Sequence, residues 1–372
     1  MARITSAKAY MVDLEPKVVR TDAIQSFKSQ ETIFVVIRDV DGAEGQGYSY
    51  TIGDGGAAIL SLLQVTLLPR LMGQDADRIE AIWRDLLFCS HATAVGPIMS
   101  LALAAIDTAL WDMRGRKTGL PLHVLAGGAK QSVRMYTTEG GWLHLPPEAL
   151  VNDAKDAKSK GFAGSKIKIG TPTIAGDTKR LEAVRSALGD DYEIMTDANQ
   201  SMTGAEAARR VPMLERLNIG WFEEPLPSDD IAGHTRLQAR STVPVAVGES
   251  LYSPGQFADY IAADACSVVQ ADVARVGGIT PWLKVAHMAE AHNIAICPHF
   301  LMELHVSLVC AVPNAPWLEY IPQLEDLAAP MARDGGNAIA PTEPGLGIDW
   351  DQDKLAALSV EGSAFEITEA NQ

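Results

Sequence analysis

The chain has 372 residues with 47% hydrophobic and 21% charged side chains, the balance of a folded globular protein and not of a disordered one. Its formal net charge of -16 argues against nucleic acid or an anionic membrane surface as partner, since clustered Lys and Arg hold both. No stretch approaches the roughly 18 uninterrupted apolar residues of a membrane span, and MARITSAKAY carries no apolar signal core, so no membrane association and a cytoplasmic location are expected.

The first 50 or so residues predict an antiparallel meander, with ITSAKAYMV followed by ETIFVVIRDV and AEGQGYSY on either side of Asp41-Gly42, a strong hairpin signal. From about 56 to 115 the pattern is helical. It ends in PIMSLALAAIDTALWDMRG, whose apolar positions 98, 101, 106, 110 and 113 recur at helical spacing before Gly115. Strands followed by helices predict an α+β domain over residues 1–125.

Beyond Gly127-Gly128, short apolar strands alternate with capped helices, the sign of βαβ units and a parallel sheet. The strands expected are VRMYTTE (133–139), KIKI (166–169), EIMTD (193–197), IGWFE (219–223), VPVAVGE (243–249), SVVQAD (267–272), IAICPH (294–299) and WLEYI (317–321). Asp177 is expected to cap the helix that carries Leu181, Val184 and Leu188, Ser253-Pro254 and Thr280-Pro281 read as N-cap and N1 pairs, and Pro212 is expected to kink the 205–217 helix. This alternation predicts an α/β fold, a TIM-type (β/α)7β barrel over 126–345. Its last helix is expected to be degenerate, because 322–345 is rich in Pro, Gly and Ala. The tail, 346–372, is expected to return to the first domain. Four scattered cysteines (Cys89, Cys266, Cys297, Cys310) form no CxxC pair and read as reduced, mostly buried thiols.

TIM-type barrels place functional residues at the C-terminal ends of their strands. Asp197, Glu223 and Glu249 end three consecutive strands at equal intervals of 26 residues. Any one of them is ordinary in a βα loop or helix cap. Three at one interval converge at the barrel mouth, where they would repel one another unless a cation neutralised them. An all-oxygen set suits Mg²⁺ or Mn²⁺ better than zinc.

In GSKIKIG (164–170), Lys166 and Lys168 are two residues apart and so share a face of the strand. A solvated edge strand would account for the pair alone. Beside the carboxylates, each ammonium should disfavour protonation of the other and lower an amine toward a useful base. Asp272 and His299 end the next two strands, and a carboxylate beside an imidazole fixes its tautomer and raises its basicity. Glu319 lies inside the last strand, where a charge is costly unless paired or protonated.

These residues carry a resemblance. GSKIKIG, MTDANQ, WFEEPL, VGES, QADVARVGGIT, CPHFLMELH and WLEYI resemble, in order and over almost the whole chain, the motifs of the enolase superfamily, mandelate racemase subgroup. The resemblance implies that residues 1–125, closed by the tail, form a capping domain. It implies that Asp197, Glu223 and Glu249 hold Mg²⁺ and that Lys168 is the base on one face, with Lys166 tuning it and touching the substrate carboxylate. His299, paired with Asp272, would serve the opposite face, Glu319 would donate a hydrogen bond to the substrate carboxylate, and Asn199 and Glu224 would support the site, Asn199 as a substrate contact.

Within the subgroup, VGESLYSP, ADVARVGGIT, PHFLMELH and PWLEYIPQLEDL look most like acid-sugar dehydratases of the galactarate and talarate type, whereas GGNAIAPTEPGLGIDW looks closer to the racemase. The implied reaction is loss of the proton α to a carboxylate, an ene-diolate, and expulsion of a β-hydroxyl with His299 as general acid. The small-molecule substrate expected is a six-carbon aldarate such as galactarate or an epimer, handled by a homo-oligomer. Residues 15–30, an exposed loop too polar to favour a phenyl ring, offer Lys17, Arg20 and Lys28; each reads as a plain surface charge or as a cation for the distal carboxylate, and Arg20 is the one expected to meet it. The alternatives are a racemase or epimerase using the same two bases, a class I aldolase with Lys168 as Schiff-base nucleophile, and a non-catalytic acid-sugar binding protein.

Overall fold

The computed structural model describes residues 2–93 and 96–370. Strands β1 (Ile4–Leu14), β2 (Gln30–Asp39) and β3 (Glu44–Ile52) form the expected antiparallel meander. The helix Pro97–Thr118 lies across β3 and can approach it closely because Gly47 has no side chain: a Cβ there would sit 2.2 Å from the Ala109 nitrogen. This helix does not stop before Gly115. It continues to a left-handed cap at Gly119 (φ 68°), because the backbone of Gly345 packs against Gly115 and requires a residue without a side chain there, inside the helix.

Eight parallel strands follow: β4 (Ser132–Thr137), β5 (Gly164–Lys168), β6 (Glu193–Asp197), β7 (Phe222–Glu223), β8 (Val245–Val247), β9 (Val268–Val269), β10 (Ala295–Ile296) and β11 (Trp317–Tyr320). The order is β11-β4-β5-β6-β7-β8-β9-β10. Among the described residues no ladder joins β10 to β11. The gap is spanned by Ile296 N–H donating to Asn314 O (3.0 Å) and by Phe300 N–H donating to Glu319 Oε2 (2.8 Å). All eight expected strands are present, several much shorter than their apolar runs, because the chain leaves the ladder early and carries the following residues into the mouth. Asp272 and His299 therefore lie in the loops beyond β9 and β10, not at the strand ends themselves.

In place of a last helix, β12 (Arg333–Asp334) and β13 (Asn337–Ile339) form a hairpin against β4. β14 (Phe365–Thr368) then pairs antiparallel with β1, so the tail ends in the first sheet. Two helix starts differ from expectation. Thr173, not Asp177, caps Ile174–Leu188, while Asp177 accepts from Gly170 N–H and Thr171 N–H and pairs with Arg210 (2.9 Å). The helix Ile279–Ala291 begins after Gly278, so Thr280 is already inside it, and Asp107 of the capping domain accepts from Thr280 N–H (2.9 Å). Ser253-Pro254 starts its helix as expected, and Pro212 lies inside Gly204–Arg216.

The barrel interior is closed below the mouth by an apolar layer of Tyr136, Met195, Trp221, Ala246, Val268, Cys297 and Trp317. Lys166 Nζ sits 5.9 Å from the Tyr136 ring, so the polar constellation rests on a dry floor where charges interact strongly. Among the described residues, no helix is long and apolar enough to cross a membrane.

Candidate active site

Parallel register puts Lys168 opposite Asp197 and Asp197 opposite Glu223, so the strand order itself lines up the charged residues. One oxygen each of Asp197, Glu223 and Glu249 lie within 4.8 Å of one another, and all three residues are buried. Glu223 is aimed from behind: its Oε2 accepts from Trp221 Nε1 (3.0 Å) and Gln270 Nε2 (2.7 Å). Asn199 N–H donates to Asp197 Oδ1 (2.9 Å), while Glu249 Oε2 makes no hydrogen bond despite being buried. Burial, then Asp197, raises the Glu223 carboxyl above its usual range. Three convergent buried carboxylates with no nitrogen or sulfur among them fit a hard divalent cation such as Mg²⁺ or Mn²⁺.

Lys166 Nζ lies 2.8 Å from Glu223 Oε1 and 2.7 Å from Glu319 Oε1, and Lys168 Nζ lies 2.5 Å from Asp197 Oδ2. The expected lowering of the amines is not found. Burial pushes both down, but the carboxylates outweigh it, Glu223 and Glu319 at Lys166 and Asp197 at Lys168, and both ammonium groups are held above their usual value. At Lys168 the facing Asp197 outweighs the neighbouring ammonium of Lys166.

On the other side, His299 Nδ1 lies 2.9 Å from Asp272 Oδ2, and its Nε2 lies 3.3 Å from Glu249 Oε2. Burial lowers the imidazole, yet Glu249 and Asp272 raise it further, so the net direction is up. Burial likewise raises Asp272, and His299 and Arg275 pull it well below the carboxylate range. Its Oδ1 accepts from Ala274 N–H (2.8 Å) and Arg275 N–H (3.2 Å).

Glu319 is paired, as a buried charge must be. Its Oε1 accepts from Thr138 Oγ1 (2.5 Å) and faces Lys166, and its Oε2 accepts from Phe300 N–H. Burial raises the group, but Lys166 and His299 hold it below its usual range. Without substrate, Glu319 accepts from Thr138 and Phe300 and faces Lys166, and its expected donation to a substrate carboxylate concerns the liganded site.

Arg20 is not on an exposed loop. It is 4% exposed, with Nε (2.8 Å) and Nη2 (2.5 Å) both on Glu139 Oε1, so its charge is already matched. Lys17 pairs with Asp326 and Lys28 is exposed. The 15–30 segment nonetheless reaches the mouth, since Leu143 N–H donates to Thr21 O (2.9 Å). A cavity of about 340 Å³ opens there between the two domains, lined among others by Gln25, Tyr50, Asp54, Asn199, Glu249 and Arg275. Asn199 (φ 43°), Gln200 (φ 62°), Glu224 (φ 36°), Phe300 (φ 57°) and Leu301 (φ 37°) are left-handed non-glycine residues gathered after the strands, backbone strain of the kind found at functional sites.

Tyr50, Trp221, Gln270 and Arg275 also belong to the site and were not singled out from sequence. Gln270 could have been found by strand periodicity, two residues before Asp272. Tyr50 could not, because it comes from the other domain.

Residues 149–354 match the family described as enolase C-terminal domain-like, and residues 7–127 match the mandelate racemase / muconate lactonizing enzyme N-terminal domain. The L-talarate/galactarate dehydratase of Salmonella typhimurium is 39% identical over 295 residues, 79% of this chain and 74% of that protein. The 3,6-anhydro-alpha-L-galactonate cycloisomerase of Streptomyces coelicolor is 35% identical over 333 residues, 89% and 92% of the two chains. The crystal structure of the Salmonella dehydratase with Mg and L-lyxarohydroxamate superimposes with a TM-score of 0.94 at 34% identity, covering 99% of this chain and 95% of that one. Motifs, barrel, buried carboxylate triad and both domain matches agree, and the chain belongs to the mandelate racemase / muconate lactonizing enzyme family of the enolase superfamily.

Proposed function

We propose that this protein is a Mg²⁺-dependent acid-sugar dehydratase, a carbon-oxygen lyase that converts an aldarate such as galactarate or an epimer to a 2-keto-3-deoxy acid. The observation that carries the reading is the placement of Lys168 beside Asp197 and of the His299–Asp272 pair beside Glu249, on opposite sides of one carboxylate triad. The dehydratase names of relatives and the Mg in a superimposable structure support it.

Held by Asp197, Glu223 and Glu249, a divalent cation would polarise the substrate carboxylate and offset the negative charge that grows as the α-proton leaves. Lys166 presents a fixed ammonium to the same carboxylate. Asp197 favours the ammonium form of Lys168 when no cation is bound, and a cation on that carboxylate would weaken this hold; as the free amine, Lys168 takes the α-proton through Nζ, leaving an ene-diolate. His299, holding its Nδ1 proton toward Asp272, delivers a proton from Nε2 to the departing β-hydroxyl, which leaves as water. The resulting enol takes up a proton at carbon 3 and becomes the 2-keto-3-deoxy acid. The dry floor beneath Lys166 excludes water from below.

The distal end of the substrate would face the mouth cavity. Arg275 lines that cavity, although its Nη1 also donates to Glu249 O (2.7 Å), whereas Arg20 does not line it and is held by Glu139, so we assign the distal contact to Arg275 in preference to Arg20. A racemase or epimerase is the second reading, favoured by the same two flanking bases. An aldolase would form its Schiff base on Lys168 and leave the carboxylate triad beside it without a role.

The test is a panel of aldarates, aldonates, 2-hydroxy acids and mandelate in D₂O, scored for 2-keto product and deuterium uptake. Dehydration of an aldarate ahead of the others is expected. Inversion without 2-keto product would replace this reading with the racemase, and product trapped on Lys168 by borohydride with indifference to chelators would replace it with the aldolase.

A further inference from the structure

Tyr50 leaves the capping domain on β3 and places its hydroxyl 2.6 Å from Asp272 Oδ2, the same oxygen that faces His299 Nδ1. Tyr50 is 1% exposed and Asp272 fully buried, so this hydrogen bond is made out of water, where a phenol donating to a carboxylate is strong. The Tyr50 ring lies against Phe300 with centroids 4.8 Å apart, and Arg275 lies over it at 5.9 Å, so the ring packs against residues near His299 and Asp272.

Burial alone does not force such a contact. Tyr48, two residues earlier and on the same face of β3, is equally buried, and its hydroxyl has no hydrogen-bond partner. The Lys168 side has different surroundings. Its Nζ meets Asp197 and the Trp142 ring at 5.5 Å, whereas the Tyr50 hydroxyl and ring meet Asp272, Phe300 and Arg275.

We propose that Tyr50 is a positioning residue for the His299 face alone: supplied by the capping domain, its hydroxyl fixes Asp272 Oδ2 and through it the His299 ring, while Lys168 is positioned without it. The barrel's proton-donating step thereby depends on how the capping domain is seated, and its proton-abstracting step does not. The inference rests on the acid and base assignment above.

The experiment compares Tyr50→Phe with Tyr48→Phe and wild type in two ways. The first is turnover in D₂O of a substrate whose α-proton faces Lys168. Tyr50→Phe keeps the ring against Phe300 and removes only the hydroxyl. Its kcat for elimination is expected to fall by about 10- to 100-fold, the usual effect of losing a group that orients a site residue. KM should stay within about twofold, as expected when an interaction used only in the transition state is lost, and deuterium should still return to unreacted substrate. Tyr48→Phe should match wild type. The second readout needs no substrate: the low-field imidazole N–H resonance that His299→Asn removes should shift and exchange faster with solvent in Tyr50→Phe, but not in Tyr48→Phe.

Parallel loss of elimination and exchange, or an unchanged imidazole resonance, overturns the proposal. If the wild type neither eliminates nor exchanges any acid sugar, the proposed function fails, and the resonance alone decides whether Tyr50 acts through Asp272.

Discussion

Lys166 Nζ stands between two carboxylates, 2.7 Å from Glu319 Oε1 and 2.8 Å from Glu223 Oε1, and all three side chains are closed to solvent. Removing the ammonium leaves two buried acids without their partner. Lys166→Met is expected to destabilise the protein by about 3–5 kcal/mol, the usual cost of breaking a buried pair from one side. Adding Glu319→Gln should recover part of this, because the two sites interact. Denaturant midpoints of the two variants measure it, and a single-variant loss below about 1 kcal/mol would contradict the pairing.

Metal binding should stabilise the folded state, since Asp197, Glu223 and Glu249 are brought together there and not in the unfolded chain. At a free Mg²⁺ concentration of 100 Kd the gain is about 2.7 kcal/mol, read as a rise in Tm that a chelator reverses. Asp197→Asn should weaken metal binding in calorimetric titration and shrink the Tm rise. Full activity in metal-free protein, or an Asp197→Asn variant that binds Mg²⁺ like wild type, would refute the triad as its ligand set.

The two flanks of the site should fail differently. With a substrate whose α-proton faces Lys168, His299→Asn is expected to stop elimination while deuterium exchange at the α-carbon continues, and Lys168→Ala should stop both. Proton NMR of recovered substrate separates the cases. Exchange that survives in Lys168→Ala would mean the base has been misassigned.

Arg20 offers a sharper test now that its partner is known. Because Glu139 occupies the guanidinium, Arg20→Ala should loosen the 15–30 segment and raise KM for mono- and diacids alike. Were the loss confined to diacids, Arg20 would instead contact the distal carboxylate, as expected from its sequence position.

His305 links acid pH to stability. Its Nε2 accepts from Val273 N–H (3.1 Å) and its Nδ1 lies 2.7 Å from Phe300 O, so the neutral ring is locked beneath the His299 loop, and burial lowers its pKa to about 4. Above pH 6.5 the ring is neutral both folded and unfolded, and this contribution is fully present. As pH falls from 6.5 toward 4 the unfolded chain takes up a proton that the native state refuses, and stability is lost, by at most about 3 kcal/mol. Melting curves from pH 7 to 4.5 should therefore be flatter for His305→Asn than for wild type, though they start lower. Identical slopes would exclude His305 as the source.

Much of the site was legible because it is periodic. Equal spacing found Asp197, Glu223 and Glu249, and strand alternation put Lys166 and Lys168 on one face; all five meet in the structure. What stayed hidden depends on residues far apart in the chain. Nothing near Arg20 in sequence announces Glu139, and nothing near Thr280 announces that Asp107 would accept from its N–H. The lysines show the same limit. Their spacing was readable, but the direction of their titration was set by carboxylates on other strands. Strand lengths were overestimated for a related reason: the apolar run that buries a strand continues past the last ladder pair, and sequence alone does not mark where pairing ends.

The pairing of β14 with β1 joins residues 365–368 to residues 6–9, the two ends of the fold. A first sheet that forms during synthesis has one flank of β1 unpaired while more than 300 further residues are added. An open strand flank is a template for another chain. A nascent or C-terminally clipped chain would present that long flank to its neighbours, and β14 replaces it with an edge only four residues long, a poorer template for a stranger.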